Sequence, residues 1–324
     1  MTIPPPTIDD VRASARAIDD LIVHTPLLEM AEAATVFGRR VLFKAETLQR
    51  TGSFKYRGAT AFLDRLGPEE RARGVVAYSS GNHAQAVAAA AEHFGVAATI
   101  VMPSDAPEVK VSRTRARGAA IVMYDRQREE REAIAAGIAA NRGVPIVPPY
   151  DHPWTIAGQG TAGLEIAFDA SSRGIADPVV LVPTGGGGLT AGIALALDAD
   201  LPEADVWTVE PEGFDDHLRS FAAGERRAVE GKPRSICDAL LAPTPGSVPF
   251  EVNRRLVKGS AAVSDEQVRA AIRFAVTELR LVVEPGGAVG LAALLAGMVP
   301  GSRPVVVVLS GANVSPALLV ECLG

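Results

Sequence analysis

An α/β fold with mostly parallel sheets is predicted by three features of the sequence. Short apolar runs alternate with alanine-rich helical stretches over most of the length. One of those runs, Val305-Val306-Val307-Val308-Leu309, lacks polar alternation, as a parallel strand buried on both faces requires. No Gly/Ser or Pro-rich linker and no internal repeat interrupts the succession, which favours βαβα units over strung-out modules.

The elements follow in order. Strands are expected at 41–44, 74–78, 98–102, 119–123, 144–147, 179–182, 206–209 and 304–309, each short, apolar and bounded largely by Gly or Pro. Helices are expected at 82–93, 108–117, 128–141 and 189–197. The compact set within 71–150 suits a small substrate-binding domain with its own sheet. Segments 1–70 and 151–324 would then build a larger domain, with a cleft between the two.

Bulk properties bound the function. The 324 residues are 48% hydrophobic and 22% charged, an ordinary globular composition that excludes disorder. A net charge of -6 offers no general attraction to nucleic acid or anionic membrane. Cys237 and Cys322 alone make neither a disulfide framework nor a metal spacing. The first ten residues carry three prolines and no basic or apolar leader, and no apolar run reaches membrane-spanning length. A cytoplasmic protein is expected.

Three segments carry chemistry. Pro183-Thr184-Gly185-Gly186-Gly187-Gly188-Leu189 joins a strand to a helix. Its glycines let the backbone approach a ligand, and the helix start offers N–H groups and partial positive charge to a phosphate. A dinucleotide fingerprint would need glycine at 190, where Thr190 stands, and a nucleotide P-loop would need lysine where Leu189 stands. Ser53-Phe54-Lys55 puts a lysine in the first turn of a helix that Ser53 could cap. The helix dipole there disfavours the protonated amine, and a neutral amine is what imine chemistry needs. Ser79-Ser80-Gly81-Asn82-His83 opens another helix, with N–H groups and hydroxyls that suit a carboxylate and an Asn82 amide that suits a phenolate oxygen. Each segment alone is also compatible with a ligand-free turn, a surface lysine or a simple helix cap. An amine, a polar loop and a phosphate cup together suit a covalently held, phosphorylated aldehyde, pyridoxal 5'-phosphate.

The chain resembles the fold-type II pyridoxal-phosphate enzymes of the serine/threonine dehydratase and serine racemase family. The matching pieces run in family order: His24-Thr25-Pro26-Leu27, 53–59, 79–83, Ala157-Gly158-Gln159-Gly160-Thr161, 185–188, Glu284-Pro285-Gly286-Gly287-Ala288 and Leu309-Ser310-Gly311-Ala312-Asn313. The resemblance implies a tryptophan synthase β-like fold of two open twisted sheets, with the cofactor in the inter-domain cleft, and a homodimer. It implies that Lys55 binds the cofactor covalently and serves as base at the substrate's α-carbon. Phe54 would pack by the ring, Asn82 would bond its phenolic oxygen, and Gly185, Gly186, Gly187 and Gly188 would hold the phosphate. Ser310 would bond the pyridine nitrogen; a neutral hydroxyl there weakens the electron sink and suits β-elimination. Ser79, Ser80, Gly81, Asn82 and His83 would bind the substrate. Ser80 also matches the opposite-face acid/base of the racemases, while His83 reads rather as a structural residue of the helix start.

The implied activity is an ammonia-lyase acting on L-threonine, L-serine or a related 3-hydroxy amino acid, giving a 2-oxo acid and ammonia. The alternatives are a serine or aspartate-type racemase, a 3-hydroxyaspartate ammonia-lyase, and a catalytically silent binding protein on the same scaffold. Glu210-Pro211-Glu212-Gly213-Phe214-Asp215-Asp216 resembles the family's divalent-metal loop. Glu210, the Phe214 carbonyl and Asp216 would be ligands for Mg²⁺ or Ca²⁺, since oxygen donors suit hard cations; a helix-capping acidic loop is the other reading. Arg131 falls where racemase-like members carry an arginine that could meet a second substrate carboxylate, although a solvated helix position also fits. Trp154 stands where many relatives have small or polar residues, leaving pocket shape open. The chain ends at Gly324, soon after Asn313, so a C-terminal regulatory domain with end-product feedback is not expected.

Overall fold

The computed structural model describes residues 3–106, 108–231 and 233–324. Its strands are β1 (Leu27–Glu29), β2 (Val41–Lys44), β3 (Val75–Tyr78), β4 (Ala98–Pro103), β5 (Ala120–Tyr124), β6 (Val179–Pro183), β7 (Asp205–Pro211), β8 (Val257–Val263) and β9 (Val305–Val308). They form a six-stranded sheet in the order β1-β2-β9-β6-β7-β8 and a three-stranded sheet β3-β4-β5. Every pairing is parallel except the β1–β2 edge. The all-valine β9 lies between β2 and β6, with Val305 opposite both Val41 and Val179, and all four of its residues are buried. Its lack of alternation thus has the expected cause.

Two strands carried no clear signal. β1 is three residues long and ends on Glu29, and β8 includes Lys258, Gly259 and Ser260 because it is a partly exposed edge. The expected strand at 144–147 is reduced to one bridge between Val76 and Ile146. Pro145 has no N–H to donate, and Pro148 and Pro149 follow, so a longer ladder cannot form. The helix expected from 128 begins later, as Arg131–Arg142.

Helix Pro153–Ser172 is the keel on which two other helices pack. A Cβ on Gly158 would lie 2.5 Å from Ala61 Cβ, and one on Gly192 would lie 2.5 Å from Gly160 N. Gly163 likewise has Ala196 Cβ 2.8 Å from where its own Cβ would be. These small residues seat helix Lys55–Asp64 and helix Gly188–Asp200 closely against the same keel, which brings their N-termini together.

Arg57, fully buried, locks that arrangement. Its guanidinium donates to Glu46 Oε1 and Oε2 (2.8 Å each) and to Glu165 Oε1 (2.6 Å). Lys44, also fully buried, pairs with Glu165 and donates to the Thr25 carbonyl at 2.6 Å, while the Thr25 hydroxyl donates to Glu46 at 2.5 Å. Burial opposes the charge on each member, yet the partners outweigh it for Arg57, held above its ordinary value, and for Glu46, held below. Among the described residues no helix is long and apolar enough to cross a membrane.

Candidate active site

Lys55 is the first residue of its helix, but Ser53 does not cap it: Phe54 is the N-cap, and the Ser53 hydroxyl is buried without a partner. Ser53 is instead extended backbone, bridged antiparallel to Gly311, while the Phe54 N–H donates to the Ser310 carbonyl at 3.1 Å. The preceding turn is strained, since β-branched Thr51 sits at φ 62°, which costs about 1–3 kcal/mol. Asn313 offsets that strain by donating to the Thr51 carbonyl at 2.8 Å. Lys55 and Ser310, 255 positions apart, are thereby stitched into one unit.

The Lys55 amine donates to the Pro149 carbonyl at 2.7 Å and lies 4.8 Å from the centre of the Phe54 ring. Although part of the Lys55 side chain is accessible, the amine itself is desolvated. That desolvation lowers its pKa to about 7, against the attraction of Glu284. The weakened hold on the amine proton expected from the helix dipole thus has burial as its main cause, and near pH 7 the protonated and neutral forms coexist.

Gln159 donates to the same Pro149 carbonyl at 3.1 Å, and its own carbonyl oxygen is buried without a partner. That oxygen would lie 2.7 Å from a Cβ on Gly188, which ties the lysine to the glycine loop. Gly187 has φ 90°, and a Cβ there would come 2.4 Å from His217 Nε2; one on Gly186 would enter the Tyr150 ring at 2.3 Å. Glycine is required at both positions for want of space and, at Gly187, for its left-handed backbone. The N–H groups of residues 185–188 make no hydrogen bonds among the described residues, and they open the 13-residue helix Gly188–Asp200. That is a helix-terminal anion cradle.

The 79–83 loop faces this arrangement from the smaller sheet. Gly81 is the N-cap of helix Asn82–Phe94 and has open space where a Cβ would point. No side chain caps that helix; the Ser79 hydroxyl accepts from the Gly81 N–H at 3.1 Å, and the Ser80 hydroxyl makes no hydrogen bond among the described residues. His83 is buried, bonded at 2.8 Å to the Val147 carbonyl, and lowered to about 3 by burial and by Lys55. A neutral imidazole with one ring nitrogen held by the backbone fits the structural reading better than a general base. Asn82 is buried between Glu284 and Asn313.

Glu210 lies at the end of β7, and both its carboxylate oxygens accept backbone N–H groups, from His217 (2.8 Å) and Leu218 (2.9 Å). It therefore caps helix Asp216–Ala223, which neither Asp215 nor Asp216 does. Both Asp216 oxygens are buried without hydrogen bonds, and burial together with Glu210 raises this carboxyl to about 8. Glu210, Asp216 and His217 offer donor atoms within 4.8 Å of one another. An unpartnered buried carboxylate beside a second one fits a divalent cation. His217, not anticipated from the sequence, turns Nδ1 toward these carboxylates and Nε2 toward Gly187 and Asn253, so it connects the acidic cluster to the glycine loop. No hydrogen bond of the Phe214 carbonyl is found among the described residues.

Arg131 lies over the Tyr78 ring at 5.6 Å and pairs with Glu132 at 2.9 Å. It acts electrostatically on Tyr150, the residue that covers Gly186, yet its side chain is exposed, so the solvated helix position is not displaced. Trp154 instead packs on Phe62 (5.3 Å) and His152 (5.1 Å) in the core beneath the smaller sheet. Tyr150 and Gln159 escaped sequence reasoning as site residues; Gln159 lay inside a quoted motif, whereas Tyr150 had no local signal.

Known proteins resemble this chain in sequence and fold. The family model described as pyridoxal-phosphate dependent enzyme matches residues 18–311. The chain is 39% identical to L-threonine ammonia-lyase of Thermotoga maritima, covering 95% of this chain and 76% of that protein. It is 39% identical to L-threo-3-hydroxyaspartate ammonia-lyase of Saccharomyces cerevisiae and 38% identical to serine racemase of Schizosaccharomyces pombe, each over 95% of this chain and 94% of the relative. The solved structure of serine racemase from Dictyostelium discoideum superposes with a TM-score of 0.88 at 32% identity, covering 96% of this chain and 99% of the other. With the desolvated lysine, the open anion cradle and the two parallel sheets, these matches make the chain a member of the family of pyridoxal-phosphate-dependent enzymes.

Proposed function

We propose that the protein is an ammonia-lyase that converts L-threonine, L-serine or a related 3-hydroxy amino acid to a 2-oxo acid and ammonia. The observation that carries this reading is the desolvated Lys55 amine, lowered to about 7 and joined through Pro149 and Gln159 to the open 185–188 cradle. Orphaned buried atoms on Ser53 and Gln159 and the Cβ-free cradle fit pyridoxal phosphate. Lys55 would hold its aldehyde carbon, the N–H groups of Gly185, Gly186, Gly187 and Gly188 its phosphate, Asn82 and Ser310 its ring, and Phe54 the flank. Bound there, the cofactor supplies the electrophile and the electron sink that acidifies the substrate's α-proton.

The chain's own residues supply the rest. The 79–83 loop binds the substrate carboxylate with the N–H groups at the start of helix Asn82–Phe94. Lys55, readily deprotonated because burial lowers its amine to about 7, takes the α-proton, and the same burial keeps bulk water from supplying a competing one. The free Ser80 hydroxyl stands ready as the second proton-transfer group, which is what the racemase alternative would use.

A second reading, a 3-hydroxyaspartate ammonia-lyase, is favoured by Arg131, whose guanidinium, over the Tyr78 ring that precedes the 79–83 loop, could pair with a β-carboxylate. We further infer that Glu210, the Phe214 carbonyl and Asp216 bind Mg²⁺ or Ca²⁺, that residues 71–150 act as a small mobile domain, and that the protein works as a cytoplasmic homodimer. The decisive experiment incubates the purified protein with L-threonine, L-serine and L-threo-3-hydroxyaspartate and measures 2-oxo acid and ammonia. D-serine formed from L-serine without pyruvate would replace the lyase reading by the racemase. No turnover of any substrate and no Lys55-dependent visible absorbance would leave a binding protein.

A further inference from the structure

We propose that Glu284 is a positioning residue: it fixes the Asn82 amide and thereby holds the helix of the smaller sheet in register with the cofactor ring. The inference rests on the pyridoxal-phosphate reading of the site. Glu284 is the N-cap of helix Pro285–Leu295, is buried, and receives the Asn82 side-chain N–H at 2.5 Å. The partners decide which way the amides point. Asn313 Nδ2 donates to the Thr51 carbonyl at 2.8 Å and to Asn82 Oδ1 at 2.7 Å, which uses both of its protons. Asn82 must then turn its NH₂ toward Glu284, an acceptor when ionised, and one N–H remains for the ring oxygen. The relay Thr51–Asn313–Asn82–Glu284 has a single self-consistent direction.

The backbone is shaped to admit this carboxylate. A Cβ on Gly311 would lie 2.3 Å from Glu284 Oε1 and 3.2 Å from Asn82 Nδ2, so a side chain there would expel Glu284. Gly287 likewise lets its helix start approach Gly311, whose carbonyl receives the Glu284 N–H at 2.9 Å. The glycines of both motifs thus serve one carboxyl group, and that group joins the two sheets at the ring. The charged groups acting on it are Lys55, Asp238 and Lys110. Burial, reinforced by Asp238, holds it at about 7. Deprotonation strengthens the grip on Asn82, and protonation replaces an acceptor by a donor.

The test measures pyridoxal phosphate affinity and the pH titration of the bound cofactor's visible absorbance in wild type, Glu284→Ala, Glu284→Gln, Asn82→Ala and Glu284→Ala/Asn82→Ala. Loss of a charge-assisted hydrogen bond should weaken cofactor binding by about ten- to a hundredfold in Glu284→Ala. Asn82→Ala should then add little in the Glu284→Ala background, because the two residues act as one unit. Glu284→Gln, which keeps shape and an acceptor, should recover most of the affinity but lose the titration step near neutrality. Additive losses, or an unchanged titration in Glu284→Gln, would overturn the proposal while leaving the cofactor reading intact. A wild-type protein that binds no pyridoxal phosphate would overturn both. If the alanine variant does not fold, the titration of Glu284→Gln alone decides.

Discussion

Lys55 and Arg57 stand two residues apart at the start of one helix, and both cations are withdrawn from water, yet their surroundings treat them oppositely. Arg57 meets two carboxylates, the Thr161 hydroxyl and the Val23 carbonyl, and its charge is secured despite full burial. Lys55 meets one backbone carbonyl and a distant carboxyl, and its charge is driven off toward neutrality. A buried charge balanced by its neighbours stabilises architecture; an unbalanced one is left for chemistry. The acidic cluster of Glu210 and Asp216 belongs to the second kind, because neither Asp216 oxygen accepts a hydrogen bond and His217 Nδ1 stands 3.7 Å away.

Substitutions at the two positions should separate these roles. Lys55→Ala should lower turnover by at least about 10²–10⁴-fold, the usual contribution of a proton-transfer group, and abolish the visible absorbance of bound cofactor, with little change in melting temperature. Arg57→Met should do the reverse. It leaves Glu46 and Glu165 buried without their cation and should cost about 3–5 kcal/mol in denaturant unfolding of the apoprotein. A Lys55→Ala protein that unfolds as readily as Arg57→Met would erase the distinction.

Smaller effects sharpen it. If Asp216 is left unpartnered for a cation, millimolar Mg²⁺ or Ca²⁺ should stabilise the wild type by about 2–3 kcal/mol at a hundredfold excess over its dissociation constant. Asp216→Asn should abolish that dependence. Equal stability of the wild type in chelator and in metal would show that the carboxylate cluster serves another purpose. Finally, burial lowers Lys55 from 10.5 to about 7, so between those values the unfolded chain holds a proton that the folded apoprotein lacks. Stability contributed by this group should therefore rise with pH across that window and level off below it. The difference between wild type and Lys55→Met in apoprotein unfolding from pH 7 to 10 reads this slope directly; a flat difference would mean a solvated amine.

What was legible in the sequence was local. The apolar runs, the lack of alternation in β9, the turn glycines and the lysine at a helix start are all set by neighbours in the chain. They sufficed for the mostly parallel α/β class and for placing Lys55, the 185–188 glycines and the 79–83 loop at helix starts. Edge strand β8 and the three-residue β1 escaped because partial exposure and shortness leave no periodic signature. The strand expected at 144–147 failed because Pro145 cannot donate to a ladder. Ser53 looked like a helix cap because capping is a local pattern, but its backbone was claimed by Gly311 from the far end of the chain.

The sequence by itself thus determined the order of the buried parallel strands and the donor groups available at three loops, since propensity, turn geometry and donor inventory are properties of short segments. Only the tertiary structure decided which buried groups are paired. Arg57 and Lys55 are both cations in one short motif, and nothing within it separates the paired charge from the unpaired one. That difference arises from Glu46, Glu165, Pro149 and Glu284, brought together across the fold, because desolvation and charge pairing depend on distance in space and not along the chain.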